Sequence, residues 1–190
     1  MKKFIKELVS WGLYLLVAII IVMVINSFII QPTQVQGESM ESTLHNNDRL
    51  IINKLPHTFK KDFDYGDIVI IDSRVNRPRT FLDELTFNFR NNLITLILTG
   101  KQDDFYFIKR IVGKGGDTIS FEGGQLIRNG VPIDEPYIDK QANYRFDQEI
   151  TIEEGFYFVL GDNRENSKDS RHIGCIPEDH IIGKYWIKLN

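Results

Sequence analysis

The feature that most constrains this chain is a run of 23 uncharged, mainly apolar residues, Leu8–Ile30. As a helix the run would be about 34 Å long, enough to cross the hydrocarbon core of a bilayer. It is longer than the apolar core of a cleaved export signal, and residues 26–28 offer no small-x-small cleavage site. A buried core helix is the alternative, but such a helix normally carries a polar stripe. The run therefore predicts a single transmembrane anchor over residues 8–30.

Charge next to the run predicts its orientation. Lys2, Lys3 and Lys6 lie on its amino-terminal side, and positive residues flanking a membrane span favour the cytoplasmic face. We expect residues 1–7 to form a cytoplasmic tail and residues 31–190 a domain outside the plasma membrane. Any catalytic or binding activity would then be extracytoplasmic.

Composition disfavours several classes of function. The chain has 23 basic and 26 acidic residues and a net charge of -3, so no global positive field favours nucleic acid. The single cysteine, Cys175, excludes an intramolecular disulfide. Four histidines lack metal-ligand spacing with one another or with Cys175: His45, His57, His172 and His180. We predict no metal, no cofactor and no nucleic-acid partner.

Beyond the apolar run, the pattern changes to short segments of β-branched and aromatic residues. Pro32 is expected to close the helix. The segments are bounded by Gly, Pro, Asn and Asp, as strands are, and they cover residues 49–55, 67–72, 105–112, 117–121, 149–152, 156–160 and 181–189. Asn129-Gly130, within 125–133, is a strong hairpin signal. The domain is therefore predicted to be mostly β, with folded sheets or a barrel.

Residues 74–104 do not fit this strand pattern clearly. Apolar positions such as Phe81, Leu85 and Phe89, followed by 93–97, suit an amphipathic helix as well as strands. The segment could rest on the membrane surface or pack onto the domain as a cover or insertion. Its secondary structure stays open.

Ser39 is the first candidate for chemistry. It lies in "GESMESTL" (37–44), after an apparently extended stretch over 33–36, and could be a nucleophile on a tight bend. A serine there could equally form a turn. The motif is not the nucleophile elbow G-x-S-x-G, because Glu41 stands where the second glycine would be.

Lys109, in "FYFIKRIVG" (105–113), is the second candidate. Alternation along a strand places Phe107 and Lys109 on one face and Ile108 and Arg110 on the other. The Lys109 amine either reaches water at an edge or is desolvated, in which case a lowered pKa would let it act as a general base. Arg110 can pair with a carboxylate.

The third candidate is the polar segment 161–174, "GDNRENSKDSRHIG". It is either a solvated loop or a rigid hydrogen-bonded turn that orients a catalytic neighbour. The groups able to build such a turn are Asp162, Asn163, Arg164, Ser167, Asp169, Ser170 and Arg171. Because no histidine has a convincing context as a base, a serine with a lysine base is the remaining acyl-transfer arrangement.

Taken in order, these motifs resemble the bacterial type I signal peptidases of peptidase family S26, which are membrane-anchored serine proteases that remove signal peptides. The resemblance rests on the anchor, "GESMESTL", "YGDIVII" (65–71), "FIKRIVGKGGD" (107–117) and the 161–174 segment. One anchor, a small domain and no cysteine pair resemble the short Gram-positive form. The rivals are self-cleaving repressors with a Ser/Lys site, which lack an anchor, and a non-catalytic anchored β module.

The resemblance implies roles for individual residues. Ser39 would be the nucleophile and would supply its backbone N–H to the oxyanion hole, with Lys109 as general base. Ser167 would orient the lysine amine, and the supporting positions would be Asp162, Asn163, Asp169 and Arg171. Two positions depart from the family pattern: Ser42 stands where proline is usual, and Lys114-Gly115 replaces an apolar-proline pair.

The resemblance also implies the partners, which are secretory preproteins and the lipid bilayer. The nine residues from Ile30 to Ser39 reach at most about 30 Å, so the site would lie near the outer leaflet. A signal peptide would bind as an added strand, with small residues preferred at positions -1 and -3 of the cleavage site. The expected substrate-binding residues are Gln34, Val35, Gln36, Gly37, Phe107 and Ile108.

Overall fold

The computed structural model describes residues 2–80, 82–83, 86–87, 104–138 and 146–189. Helix α1 (Lys2–Phe28) leads into a β-rich domain whose described helical turns include α2 (Leu55–Thr58), α3 (Ser170–Ile173) and a 3₁₀ turn (Glu178–His180). The strands are β1 (Ile30–Gln34), β2 (Arg49–Asn53), β3 (Ile68–Asp72), β4 (Tyr106–Lys114), β5 (Thr118–Glu122), β6 (Gln125–Arg128), β7 (Val131–Pro132), β8 (Ile150–Thr151), β9 (Phe156–Leu160), β10 (Ile176–Pro177) and β11 (Ile181–Leu189).

Helix α1 contains one stretch, Lys3–Phe28, that is long and apolar enough to cross a membrane, with a mean hydropathy of 2.8. None of this stretch is buried against the rest of the protein. The helix ends two residues before the predicted boundary, because Ile30 already pairs with Asn53 in β1–β2. Pro32 therefore does not terminate the helix. It lies in an edge strand, where its missing N–H is tolerated.

The strands form two antiparallel sheets. One has seven strands in the order β1-β2-β11-β3-β4-β9-β10, and the other has four in the order β7-β6-β5-β8. The mostly β prediction is confirmed, and each predicted strand segment contains or overlaps one of the observed strands. Asn129-Gly130 connects β6 to β7 with φ angles of 55° and 75°, the left-handed backbone that a tight hairpin requires.

The seven-stranded sheet is irregular at three places. Register shifts occur at Ile111/Gly113 in β4 and at Ile181/Gly183 and Tyr185/Ile187 in β11. Such bulges bend a strand and increase its twist. The sheet curls, and the extended residues after β1 approach β4 although three strands separate β1 from β4 in the sheet order.

The described part of the 74–104 segment packs on the domain. Phe87 is buried, and its ring lies 4.5 Å from that of Tyr106. Arg74 stacks on Phe105 at 3.7 Å and forms an ion pair with Asp72. These described residues contact the domain, and for the segment as a whole a cover or an insertion stays a prediction. The choice between helix and strand for the apolar residues at 93, 94, 96 and 97 lies outside the described residues.

Candidate active site

Ser39 lies in a compact turn held down by two apolar side chains. Met40 and Leu44 are each 1% exposed, and the Leu44 N–H donates to the Met40 carbonyl at 2.8 Å. Burying two such side chains stabilises the turn by roughly 3–6 kcal/mol. Gly37 begins it with φ +91°, a backbone conformation that favours glycine. The turn therefore holds Ser39 in a fixed position, with its side chain half-buried next to the core.

The structure places Lys109 directly against Ser39. Lys109 pairs with Val69 in β3–β4, is 2% exposed, and its Nζ lies 2.6 Å from Ser39 Oγ. The two residues are 70 positions apart in the chain. Of the two alternatives left by the sequence, the desolvated amine is the observed one.

The surroundings of Lys109 change its acidity. Burial lowers the pKa of the Lys109 amine from its ordinary 10.5 to about 8, because the ammonium form loses hydration. The charges of Asp169 and Asp162 act in the opposite direction, and that of Arg171 adds to the lowering. The amine therefore has a substantial neutral population near physiological pH.

The polar segment after β9 is a rigid turn. Asp169 accepts from the Gly161 N–H at 3.0 Å and receives two Arg171 hydrogen bonds of 2.8 Å. Arg171 also donates to the Arg164 carbonyl at 2.8 Å. Burial raises the pKa of Asp169, but its hydrogen bonds with Arg171 and the charge of Arg171 outweigh burial and hold that pKa below its ordinary value. The solvated-loop alternative is therefore wrong.

This turn docks onto the backbone beside Ser39. The Asn163 N–H donates to the Ser39 carbonyl at 3.1 Å, and its side-chain amide donates to the Glu38 carbonyl at 3.2 Å. At Gly161 a Cβ atom would lie 2.5 Å from the Ser39 carbonyl oxygen and 2.1 Å from Ser167 Oγ. Only glycine fits at position 161 without displacing Ser39 or Ser167.

Ser167 lies in the same turn, and its hydroxyl is buried. Among the described residues its Oγ has no hydrogen-bond partner of ordinary geometry, but its interaction with the Asp169 carboxylate helps to lower the pKa of that group. The role that the resemblance implies for Ser167, orienting the Lys109 amine, stays a prediction.

Arg110 forms a buried ion pair behind the serine turn. Its guanidinium donates to both carboxylate oxygens of Asp162, at 2.9 and 2.6 Å, so the predicted carboxylate partner is present. Thr43, in the Ser39 turn, donates to Asp162 at 2.6 Å. Thr43 was not among the predicted site residues, because its partner is 119 positions away.

A cleft of about 290 Å³ runs past Ser39 and Lys109. Its walls include all six predicted substrate-binding residues: Gln34, Val35, Gln36, Gly37, Phe107 and Ile108. One wall of the cleft is formed by residues 34–37, and backbone hydrogen bonds of Val35 with Asp48 and Asn47 keep it extended. Sequence reasoning missed Met40, Asp104 and Tyr106, which also line the cleft.

Within the described ranges, no group of three His, Cys, Asp or Glu side chains has the geometry of a metal site. The chemistry that this geometry supports is acyl transfer to a serine beside a weakly basic, buried amine.

Comparison with known proteins places this geometry in a family. Residues 8–189 match the family described as signal peptidase, peptidase S26. Signal peptidase I S of Bacillus subtilis is 31% identical over 189 residues, covering 94% of this chain and 86% of that protein. Signal peptidase IB of Staphylococcus aureus is 30% identical over 196 residues, covering 94% and 87%. A crystal structure of a signal peptidase I from Enterococcus faecalis aligns with 65% of this chain and 97% of that one, at 27% identity and a TM-score of 0.45.

These similarities define the class of protein as a hydrolase of the serine peptidase type. The chain belongs to peptidase family S26, the signal peptidases.

Proposed function

We propose that this protein is a membrane-anchored endopeptidase that removes signal peptides from secretory preproteins, with Ser39 as nucleophile and Lys109 as general base. The observation that carries the proposal is the 2.6 Å contact between Lys109 Nζ and Ser39 Oγ. Burial lowers the pKa of Lys109 to about 8, so about one-tenth of the amines are neutral at pH 7. A neutral amine can accept the hydroxyl proton.

The reaction begins with attack of Ser39 Oγ on the scissile carbonyl while its proton moves to Lys109 Nζ. The tetrahedral oxyanion accepts a hydrogen bond from the Ser39 backbone N–H. Lys109 then gives its proton to the departing amine, which leaves an acyl-enzyme on Ser39. A water molecule, deprotonated by the same lysine, hydrolyses the ester and restores both side chains.

The substrate binds extended in the cleft between residues 34–37 and 107–108. Backbone pairing with these two edges supplies affinity, and alternate substrate side chains point into the cleft. The positions at -1 and -3 enter it next to Ser39, so small residues are preferred there. Support for this arrangement comes from the six lining residues and from the proximity of the cleft to Lys109.

The anchor places the enzyme where such substrates are. Residues 8–28 of α1 span the bilayer once, residues 1–7 are cytoplasmic, and the catalytic domain, which begins with β1 at Ile30, lies on the outer face. The apolar, unburied surface of α1 supports the span, and the lysines before it support this orientation. No nucleic acid takes part.

Processing of a radiolabelled preprotein by purified full-length enzyme tests the proposal. Wild type should release the mature protein, whereas Ser39→Ala and Lys109→Met should each lose at least about 1,000-fold in rate. Lys109→Arg should also be inactive, because a guanidinium does not deprotonate in a protein. Processing at the wild-type rate by any of these variants would refute the assignment.

A further inference from the structure

A short turn after the β6–β7 hairpin makes contacts that neither the proposed reaction nor the fold alone requires. The Ile138 N–H donates to the Glu135 carbonyl at 3.1 Å, which closes the turn. Pro136 occupies its second position, where a fixed φ favours such a turn. The turn presents Glu135 and Tyr137 to the back of the candidate active site.

Glu135 connects this turn to the segment that docks on Ser39. Its carboxylate accepts hydrogen bonds from Arg164 Nη2 at 2.5 Å and from the Tyr137 hydroxyl at 2.8 Å. The side chains of Arg164 and Glu135 are 0% and 7% exposed, so the ion pair is shielded from water. Arg164 Nε also donates to the Gly161 carbonyl at 3.0 Å.

Tyr137 connects the same turn to the other side of the site. Its ring lies 3.8 Å from the Arg110 guanidinium carbon, and its carbonyl oxygen accepts a hydrogen bond from Ser42 Oγ. Ser42 has φ +80°, a conformation that proline cannot adopt. A proline at this position could form neither this backbone conformation nor the hydrogen bond to Tyr137.

We propose that Glu135 and Tyr137, together called the clasp, are positioning residues that hold the Ser39 turn and the Arg110–Asp162 pair in their reactive arrangement. The clasp contacts three separate elements: the Ser39 turn, strand β4 and the 161–174 segment. It acts on the Ser39 turn and on Lys109 through other residues. Ser42 connects it to Thr43, which donates to Asp162, and Arg164 connects it to the segment in which the Asn163 N–H donates to the Ser39 carbonyl. The proposal rests on Ser39 and Lys109 being the catalytic pair.

The clasp also has a consequence for the acidity of Lys109. The charged groups that act on the amine are Asp169, Asp162 and Arg171. Arg110, stacked on Tyr137, donates two hydrogen bonds to Asp162 and offsets its charge. If the ring is removed and Arg110 moves, Asp162 favours the ammonium form more strongly, and the pKa of Lys109 rises.

The test compares Tyr137→Leu with Tyr65→Leu in the full-length enzyme. Tyr65 is a matched control, because its ring lies 3.7 Å from the Arg128 guanidinium and its hydroxyl donates to Asp117 at 2.9 Å, away from Ser39. Measurements are kcat and KM with a preprotein, the pH dependence of kcat/KM, and the midpoint of thermal unfolding. Both variants should unfold at lower temperature.

Only Tyr137→Leu should lower kcat, by about ten- to a hundred-fold with little change in KM, since displacement of reacting groups affects the chemical step. It should also move the midpoint of the kcat/KM profile to higher pH. Ser42→Ala removes only the hydrogen bond to the Tyr137 carbonyl, so it should lower kcat by less, about three- to ten-fold. Tyr137→Phe, which keeps the ring, should retain most of the wild-type kcat.

Wild-type kcat and an unshifted pH profile in both Tyr137→Leu and Ser42→Ala would overturn the clasp. If Tyr137→Leu does not fold, Ser42→Ala decides by its kcat, which the clasp predicts to fall by about three- to ten-fold. Ser39→Ala is assayed alongside. If it still processes the preprotein, the proposed function fails. If it is inactive while Tyr137→Leu and Ser42→Ala both have wild-type kinetics, the clasp alone is rejected.

Discussion

Among single residues, Lys109 is buried at a cost to folding, and this burial suits the base that the proposed reaction needs. The side chain is 2% exposed, and burial lowers the pKa of its amine to about 8. In the sequence, Lys109 is unusual because strand alternation places it on the same face as Phe107. Alternation could not predict whether the Lys109 amine is solvated or buried, because its burial depends on β3 and β9, which flank β4 in the folded sheet.

Lys109→Met should stabilise the protein while abolishing activity. Below about pH 8 the lysine is an ammonium in both the folded and unfolded states, and the shift from 10.5 to about 8 corresponds to about 3 kcal/mol of destabilisation. Between about pH 8 and 10.5 the unfolded chain binds more protons than the folded one, so wild-type stability rises with pH.

Denaturant unfolding of the full-length protein in detergent checks this expectation. The free energy of unfolding of Lys109→Met should exceed that of wild type by about 3 kcal/mol at pH 6, and the difference should shrink through pH 8 to 10.5. A variant less stable than wild type at pH 6 would show that burial of the amine is not the dominant effect.

Among the elements, the 161–174 segment behaves as a rigid part of the site. At Gly161 a Cβ would lie 2.1 Å from Ser167 Oγ and 2.5 Å from the Ser39 carbonyl oxygen. Gly113, in β4, is also crowded, but by an apolar side chain of the core, Ile152 Cδ1 at 2.5 Å.

Gly161→Ala and Gly113→Ala should therefore differ in kinetics more than in stability. Overpacking should cost each variant about 1–3 kcal/mol. Only Gly161→Ala should also lose about 100-fold or more in kcat/KM, because it displaces the serine. Thermal unfolding and preprotein kinetics on the two variants measure both effects. Equal kcat/KM for the folded fractions would mean that the segment does not position Ser39.

The elements also show what the sequence could and could not predict. β-Branched runs identified β2, β3, β4, β5, β8, β9 and β11, and Asn129-Gly130 identified the β6–β7 hairpin. Strand β1 was obscured because its first residue, Ile30, continues the apolar run and Pro32 suggested a break. Strand β10 has only two residues, Ile176 and Pro177, too few to produce a pattern.

Contacts between distant segments were beyond sequence reasoning. Thr43 meets Asp162 across 119 positions, and Ser42 meets the Tyr137 carbonyl across 95. No local pattern predicts such pairs, since they depend on the curl of the sheet. The resemblance to a family supplied Ser39 and Lys109 together, whereas the residues alone supplied them only as separate candidates.

At the scale of the whole molecule, the proposed function makes the sheet and the anchor determine where catalysis takes place. Curling of the seven-stranded sheet brings residues 34–37 to β4, and α1 ends at Phe28, two residues before β1 begins. Under the proposed topology, the cleft is therefore held close to the outer leaflet. Enzyme and preprotein in one bilayer would meet at a high effective concentration.

Reconstitution in lipid vesicles tests this consequence. A preprotein inserted in the same vesicles as the enzyme should be processed at least about 100-fold faster than one inserted in separate vesicles. A short soluble peptide containing the cleavage site is the control and should be cleaved equally in both preparations. Equal preprotein processing in both would mean that the anchor does not bring enzyme and substrate together.

The central claim is that a neutral Lys109 takes the proton of Ser39, and the pH dependence of kcat/KM tests it most directly. With a soluble peptide substrate, kcat/KM should rise with pH and level off above a midpoint near the pKa of about 8 that burial gives Lys109. Below that midpoint the lysine is an ammonium and cannot accept a proton. A flat profile from pH 5 to 10 would contradict the claim.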